Sequence, residues 1–140
     1  MLNRLLSRAA PWALLPVRIV VGITFLIAGG RKLFVFGFDR VGTSFASRGI
    51  PGAEFWAVVV PLVEFLGGIA ILLGILTRYA AAALSIDMIV AILVVHLPAG
   101  YFLPRGYAYP MVVLGGCLAL LLAGPGRGSL DSAIGLEDTS

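Results

Sequence analysis

The sequence predicts an all-α integral membrane protein: a four-helix bundle with a short interfacial helix between spans one and two. Three observations carry that prediction. Of 140 residues, 60% are hydrophobic and 12% charged; mean hydropathy is +1.05; and the apolar residues fall into four runs separated by turn chemistry. A soluble domain carries roughly a quarter charged residues, so most of this chain's surface is solvated by lipid. One domain suffices at this length.

A span needs about 20 predominantly apolar residues. The runs at 14–34, 55–76, 79–97 and 107–123 meet that loosely. Arg4 and Arg8 precede the first run, which reaches Ala28-Gly29-Gly30. A cleaved signal peptide is the alternative there, but the run is long for one and Arg18 inside it argues against it. "GFDRVGTSFASRGIPGAEF" separates the first two spans and is the longest connection. Its middle, 39–47, is expected to form a helix lying in the interface, with Phe38, Val41 and Phe45 on one side. Thr77-Arg78 is read as a tight turn that makes spans two and three antiparallel neighbours. "LPAGYFLPRG" joins spans three and four, its prolines ending the third helix. Tyr101, Phe102, Tyr107 and Tyr109 suit an aromatic belt. The domain is expected to occupy 1–131, with 132–140 a polar, loosely ordered tail.

An even number of spans puts both termini on one side. Arg4, Arg8, Arg78 and Arg127 lie on the terminal side, against Arg31, Lys32, Arg40, Arg48 and Arg105 on the other. Arg31 and Lys32 sit close enough to the first span to count as helix-end anchors, and without them the balance tips to termini inside. The expected location is a prokaryotic plasma (inner) membrane, multi-pass, with cytoplasmic termini.

The net charge of +3 is spread along the chain, with no aromatic-interleaved basic patch, so nucleic acid is not an expected partner. The single cysteine, Cys117, lies inside an apolar run and is read as a small buried side chain. It makes neither an internal disulfide nor a CxxC redox pair. A lone histidine cannot supply bis-histidine haem ligation, and Cys, His and carboxylates do not fall at metal-site spacing. No haem or metal is expected in the chain, and no phosphate loop or nucleophile elbow is present.

The informative residues are the polar ones inside the apolar runs. Arg18, Gly22, Phe25, Gly29 and Lys32 recur at spacings of four and three, along one stripe of a helix. The two glycines let another helix approach where packing, not hydrophobic drive, must hold helices together. Arg18 and Lys32 then face protein; the competing reading is that each snorkels to its interface. Glu64 shares a face with Gly67, and Asp87 lies beside Ala80, Ala83 and Ala91. A carboxylate near the bilayer centre costs roughly 2.5–3.5 kcal/mol on insertion scales, so pairing or protonation is required. At about 1.5 Å per residue, Asp87 lies about 12 Å in from the Arg78 end and Arg18 about 6 Å in from the same side. The expectation is a buried Arg18–Asp87–Glu64 network, with Lys32 within reach of Glu64 from the other side. Such a network either fixes which helix packs on which or serves as a proton relay or polar anchor for a headgroup or quinone ring. His96, nine residues beyond Asp87, points to the opposite side of a regular helix and is read first as structural.

Several segments resemble a known family. "VRIVVGITFLIAGGRKLF" is similar to the first helix of the DoxX family of small four-span membrane proteins, and "RGIPGAEFWAVVVPLVEFLGGIAILLGILTRYAAAAL" to its second helix and the turn after it. "HLPAGYF" and "LLAGPGRGSLD" are also like family segments, so the resemblance runs from about Val17 to Asp131. It implies a four-helix bundle and an association with redox metabolism, as subunit or partner of quinone-linked oxidoreductases or of membrane-associated oxidative-stress complexes. The family's recurring polar positions fall here on Arg18, Lys32, Glu64 and His96, with Asp87 frequent. Two departures stand out: Ala28 and Ala108 occupy positions where many relatives carry a histidine and a glutamate.

The expected function is therefore a small accessory subunit of a larger membrane redox complex, in a mainly structural role and not catalytic on its own. The alternative is a quinone- or lipid-binding oxidoreductase subunit with an intramembrane proton-handling cluster. Expected partners are membrane lipids and a larger membrane complex or further copies of the chain. A transporter ranks behind both, since no internal repeat or broken-helix pair is evident.

Overall fold

The computed structural model describes residues 1–96, 108–126 and 128–135. Every regular element among them is helical. Helix α1 spans Leu2–Ala9 and passes through a 3-10 turn, Ala10–Trp12, into α2, Leu14–Arg31. A π-helical turn, Lys32–Phe36, follows, then α3, Gly37–Ser47. Next come α4, Ala53–Leu73, and α5, Thr77–Ala91, which ends in a second π-helical turn, Ile92–His96. Helix α6 is Ala108–Ala123 and α7 is Leu130–Ala133.

Three stretches are long and apolar enough to cross a membrane: Leu14–Ser47, Ala53–Leu73 and Thr77–His96. The first is not one rod. Gly37 has φ 78° and ψ 164°, a conformation open to glycine and costly for other residues. The chain redirects there, and α3 turns onto the first part of α4, with Gly42 set against Ala57. A short helix thus exists where one was expected, beginning at Gly37 rather than Asp39. It buries Val41 and Gly42, while Phe38 stays 44% exposed.

The packing is inside-out, as lipid solvation demands. The core is narrow: Val21 and Phe25 of α2, Ile71 of α4, Ala81 and Leu84 of α5, and Val113, Cys117 and Leu120 of α6. Large apolar residues face outward along the long helices, among them Ile23, Ile27, Leu66, Ile86, Leu93 and Val112. Cys117 is buried and free, in the place its sequence context predicts.

Glycine controls the closest approach. A Cβ on Gly68 would lie 2.6 Å from the Leu26 nitrogen and 2.8 Å from the Gly22 oxygen, and one on Gly29 would meet the Phe65 backbone. Helices α2 and α4 are therefore in backbone contact, and the Gly22–Gly29 stripe is their seam, as its spacing predicts. Gly67 faces α5, where a Cβ would lie 3.2 Å from the Leu84 side chain; the residue that meets α2 is its neighbour Gly68.

Two further features differ from the sequence reading. The turn between α4 and α5 is made by residues 74–76, and Thr77 and Arg78 already belong to α5. Gly74 takes φ +68° and Leu76 φ +47°, so the reversal comes from two left-handed residues in place of a Thr-Arg turn. The second difference is α1, a helix where the sequence reading saw only flanking cations. The connection after Leu97, with Tyr101, Phe102 and Tyr107 of the expected aromatic belt, and residues 136–140 of the expected tail lie outside the described residues. Tyr109 is described and is 52% exposed.

Candidate functional site

The antiparallel course of α2, α4 and α5 brings the end of α2, the middle of α4 and the last turns of α5 together. Lys32 sits at the first position of the π-helical turn that closes α2. A π turn carries an extra residue in the helical repeat, and such turns often occur at functional sites. The Lys32 Nζ donates to both oxygens of Glu64, each at 2.8 Å. The lysine side chain is 30% exposed and the glutamate 3%. Glu64 thus receives a forked contact from a cation that reaches in from one end of the bundle.

The third member comes from α5. The Asp87 carboxyl lies close enough to Glu64 and Lys32 to feel the charge of both. Its Oδ2 is buried and meets no hydrogen-bond donor among the described residues. Lys32, Glu64 and Asp87 form one cluster of two carboxyl groups and one ammonium. Helix α6 packs along α5, and its Cys117 is close enough to feel the Asp87 charge. His96 ends the second π-helical turn, half-buried, at the last described residue of that segment.

Arg18 is not part of this cluster. It lies fourteen positions before Lys32 on α2, about 21 Å along the axis. The residue is 1% exposed, and its guanidinium donates to the carbonyls of Ile71 at 3.2 Å, Leu72 at 2.9 Å and Gly128 at 3.1 Å. Glu64 is about 10 Å back along α4 from Ile71, already held by Lys32. The predicted Arg18–Asp87–Glu64 network is therefore divided: Glu64 and Asp87 meet Lys32, and Arg18 seals the end of α4. A cation over helix C-terminal carbonyls satisfies acceptors that the helix itself leaves open.

The partner of that arrangement is Asp131, which sequence reasoning did not single out. Its Oδ1 accepts from the Leu76 N–H at 2.7 Å and its Oδ2 from the Thr77 N–H at 2.9 Å. Its own N–H donates to the Gly74 carbonyl at 2.8 Å. Asp131 thus caps the start of α5 from 54 residues away, and it attracts Arg18 electrostatically. Helix-capping rules search the residues next to a helix start, so no local signal could have revealed it. Gly74 makes room for the assembly: a Cβ there would sit 2.7 Å from the Arg18 Nη2. Arg78 finishes the same end of the bundle by donating to the carbonyls of Leu121 and Leu122.

An open pocket of about 260 Å³ adjoins the Lys32 end of the cluster, lined by Lys32, Phe36, Arg40, Val41, Ser44 and Phe45. It lies between the first π-helical turn and α3, so the break at Gly37 creates it. Among the described residues no group of three or more His, Cys, Asp or Glu side chains could hold a metal ion.

Comparison with known proteins finds other membrane proteins. The chain is 36% identical to uncharacterized membrane protein Rv3486 of Mycobacterium tuberculosis, over 98% of this chain and 90% of that one. It is 33% identical to inner membrane protein YqjF of Escherichia coli, covering 84% and 88% of the two chains. It is 29% identical to putative oxidoreductase CatD of Bacillus subtilis, covering 74% and 75%. No solved structure matches it. The family description DoxX matches residues 13–97, a segment that contains α2 to α5 and all three members of the buried cluster. This integral membrane protein belongs to the DoxX family.

Proposed function

We propose that the protein is a small accessory subunit of a quinone-linked membrane redox complex, and that Lys32, Glu64 and Asp87 form the polar point at which it receives a quinone head group or a proton. One observation carries this reading: the buried Asp87 Oδ2 has no donor among the described residues, beside a Glu64 whose cation is already engaged. Two carboxyl groups share one ammonium, so the second must be offset by a proton or by a donor from outside. A quinol hydroxyl is such a donor. Reduction of a quinone takes two electrons and two protons: the partner complex supplies the electrons, one proton comes from the Lys32–Glu64–Asp87 cluster and the second from interfacial water, and the quinol so formed has a hydroxyl that can donate to Asp87. The name of the Bacillus subtilis relative, putative oxidoreductase, supports the redox association.

The same proposal gives the chain four crossings, α2, α4, α5 and α6, in a plasma membrane, with α3 lying at the interface. Helix α6 is about 24 Å long, somewhat short of the roughly 30 Å hydrocarbon core. Its uniformly apolar sequence and its packing along α5 support a crossing.

The test pairs Asp87→Asn with Glu64→Gln in native membranes and follows accumulation together with quinone reduction by the co-purifying complex. Normal accumulation with quinone reduction lost supports the proposal. Normal accumulation with undiminished activity removes the cluster from the chemistry. Gentle-detergent purification with mass spectrometry tests the subunit role, which fails if the protein is recovered with no redox enzyme.

A further inference from the structure

Helix α1 is the one described α-helix that buries nothing. Leu2, Leu5 and Leu6 are 65%, 54% and 58% exposed. With Ala9 they recur at the three- and four-residue spacing of a single helical face. Asn3, Arg4, Ser7 and Arg8 occupy the other face. The segregation is complete, so one side of α1 needs an apolar cover and the other needs water and anions.

Two features of the surroundings say what covers it. The helix runs through a three-residue turn directly into α2, and Trp12, in that turn, is 46% exposed while its ring edge packs over Gly128. A half-exposed tryptophan at the mouth of a span marks the membrane–water boundary, so α1 emerges at headgroup depth. Among the described residues, the exposed charge at this end of the bundle is also one-sided. Arg4, Arg8 and Arg78 are exposed, and the acid described there, Asp131, is buried. At the opposite end, exposed Arg31, Arg40 and Arg48 stand beside exposed Asp39 and Glu54. Among the described residues each end carries three exposed arginines, and the exposed acids stand at the opposite end from α1.

We infer that α1 lies in the plane of an anionic leaflet, with Leu2, Leu5 and Leu6 in the acyl boundary and Arg4 and Arg8 on phospholipid phosphates, and that it thereby holds the α1 end of the bundle on the cytoplasmic side. The occupant is the leaflet of the membrane the protein spans. In-plane helices bind through apolar area plus attraction to anionic lipid, and juxtamembrane arginines add to that attraction near the surface. The anchor is independent of the redox reading of the Lys32 cluster.

The experiment uses the full chain with Cys117→Ala, carrying either Leu6→Cys or Ser7→Cys. In cells, a membrane-impermeant maleimide is expected to label Ser7→Cys only after the cytoplasmic face is opened; labelling of intact cells overturns the orientation. After reconstitution, an environment-sensitive fluorophore is placed at each position and challenged with an aqueous quencher. In vesicles of phosphatidylglycerol and phosphatidylcholine, the position-6 probe is expected to be shielded severalfold relative to position 7. That difference should shrink in pure phosphatidylcholine and in Arg4→Gln/Arg8→Gln, by about fivefold in the α1 docking equilibrium for each arginine removed. Equal quenching at both positions overturns the in-plane anchor. Shielding of position 6 that ignores lipid charge and both arginines assigns the apolar face to a protein partner and overturns it as well.

Discussion

Arg18 and Asp131 hold opposite sides of one reversal: the arginine closes the carbonyl end of α4 while the aspartate closes the amide end of α5. Each charge opposes the end of a helix dipole that it stabilises, and the two attract each other. The turn at 74–76 contains a leucine at φ +47°, a conformation that costs a non-glycine residue on the order of 1 kcal/mol or more. Charged caps on both sides offset that strain.

Asp131→Ala removes two charge-assisted bonds to the start of α5 and is expected to destabilise the protein by about 2–4 kcal/mol. Thermal or denaturant unfolding in detergent measures it. Combined with Arg18→Gln in a double-mutant cycle, the pair should show coupling of roughly 0.5–3 kcal/mol. Strict additivity would mean that the two caps act separately.

Lys32→Met leaves Glu64 and Asp87 facing each other without their cation. Breaking a buried ion pair costs about 3–5 kcal/mol, and the partial exposure of Lys32 places this case at the lower end. Adding Glu64→Gln to Lys32→Met should restore much of the loss, because the uncompensated carboxyl is then gone. If the double variant unfolds as readily as Lys32→Met, the pair matters through packing and not through charge.

Glycine substitutions should separate sharply by position. Gly68→Ala forces a methyl group onto the Leu26 backbone and Gly29→Ala onto the Phe65 backbone. Neither neighbour can move without parting α2 from α4, so both variants are expected to lose folded protein, read as recovery after size exclusion in mild detergent. Gly115→Ala meets open space and should be neutral or gain up to about 1 kcal/mol from helix propensity. A milder effect at Gly68 than at Gly115 would show that the α2–α4 seam is looser than its contacts imply.

The sequence made much of this legible because lipid solvation imposes its rules residue by residue. The apolar runs, the stripe from Gly22 to Gly29, the burial of Cys117 and a helix near 39–47 all follow from spacing along one chain. Helix α1 was legible by the same rule, since Leu2, Leu5 and Leu6 recur at helical spacing against Arg4 and Arg8; its shortness hid it. The candidate site was half legible. Glu64 and Asp87 announce themselves as carboxyl groups in apolar helices that need partners, but a one-dimensional depth estimate could not choose between Arg18 and Lys32 for Glu64.

Tertiary packing made that choice. The close approach at Gly68 sets the stagger of α2 against α4, and that stagger lays Lys32 beside Glu64 and Arg18 beside Leu72. The turn after α4 then exposes a set of unpaired backbone amides and carbonyls, and a segment more than fifty residues later in the chain, around Asp131, returns to satisfy them. Which helices lie in lipid is a property of composition and period. Which charge meets which depends on distances between residues remote in sequence, and these exist only once the helices have packed.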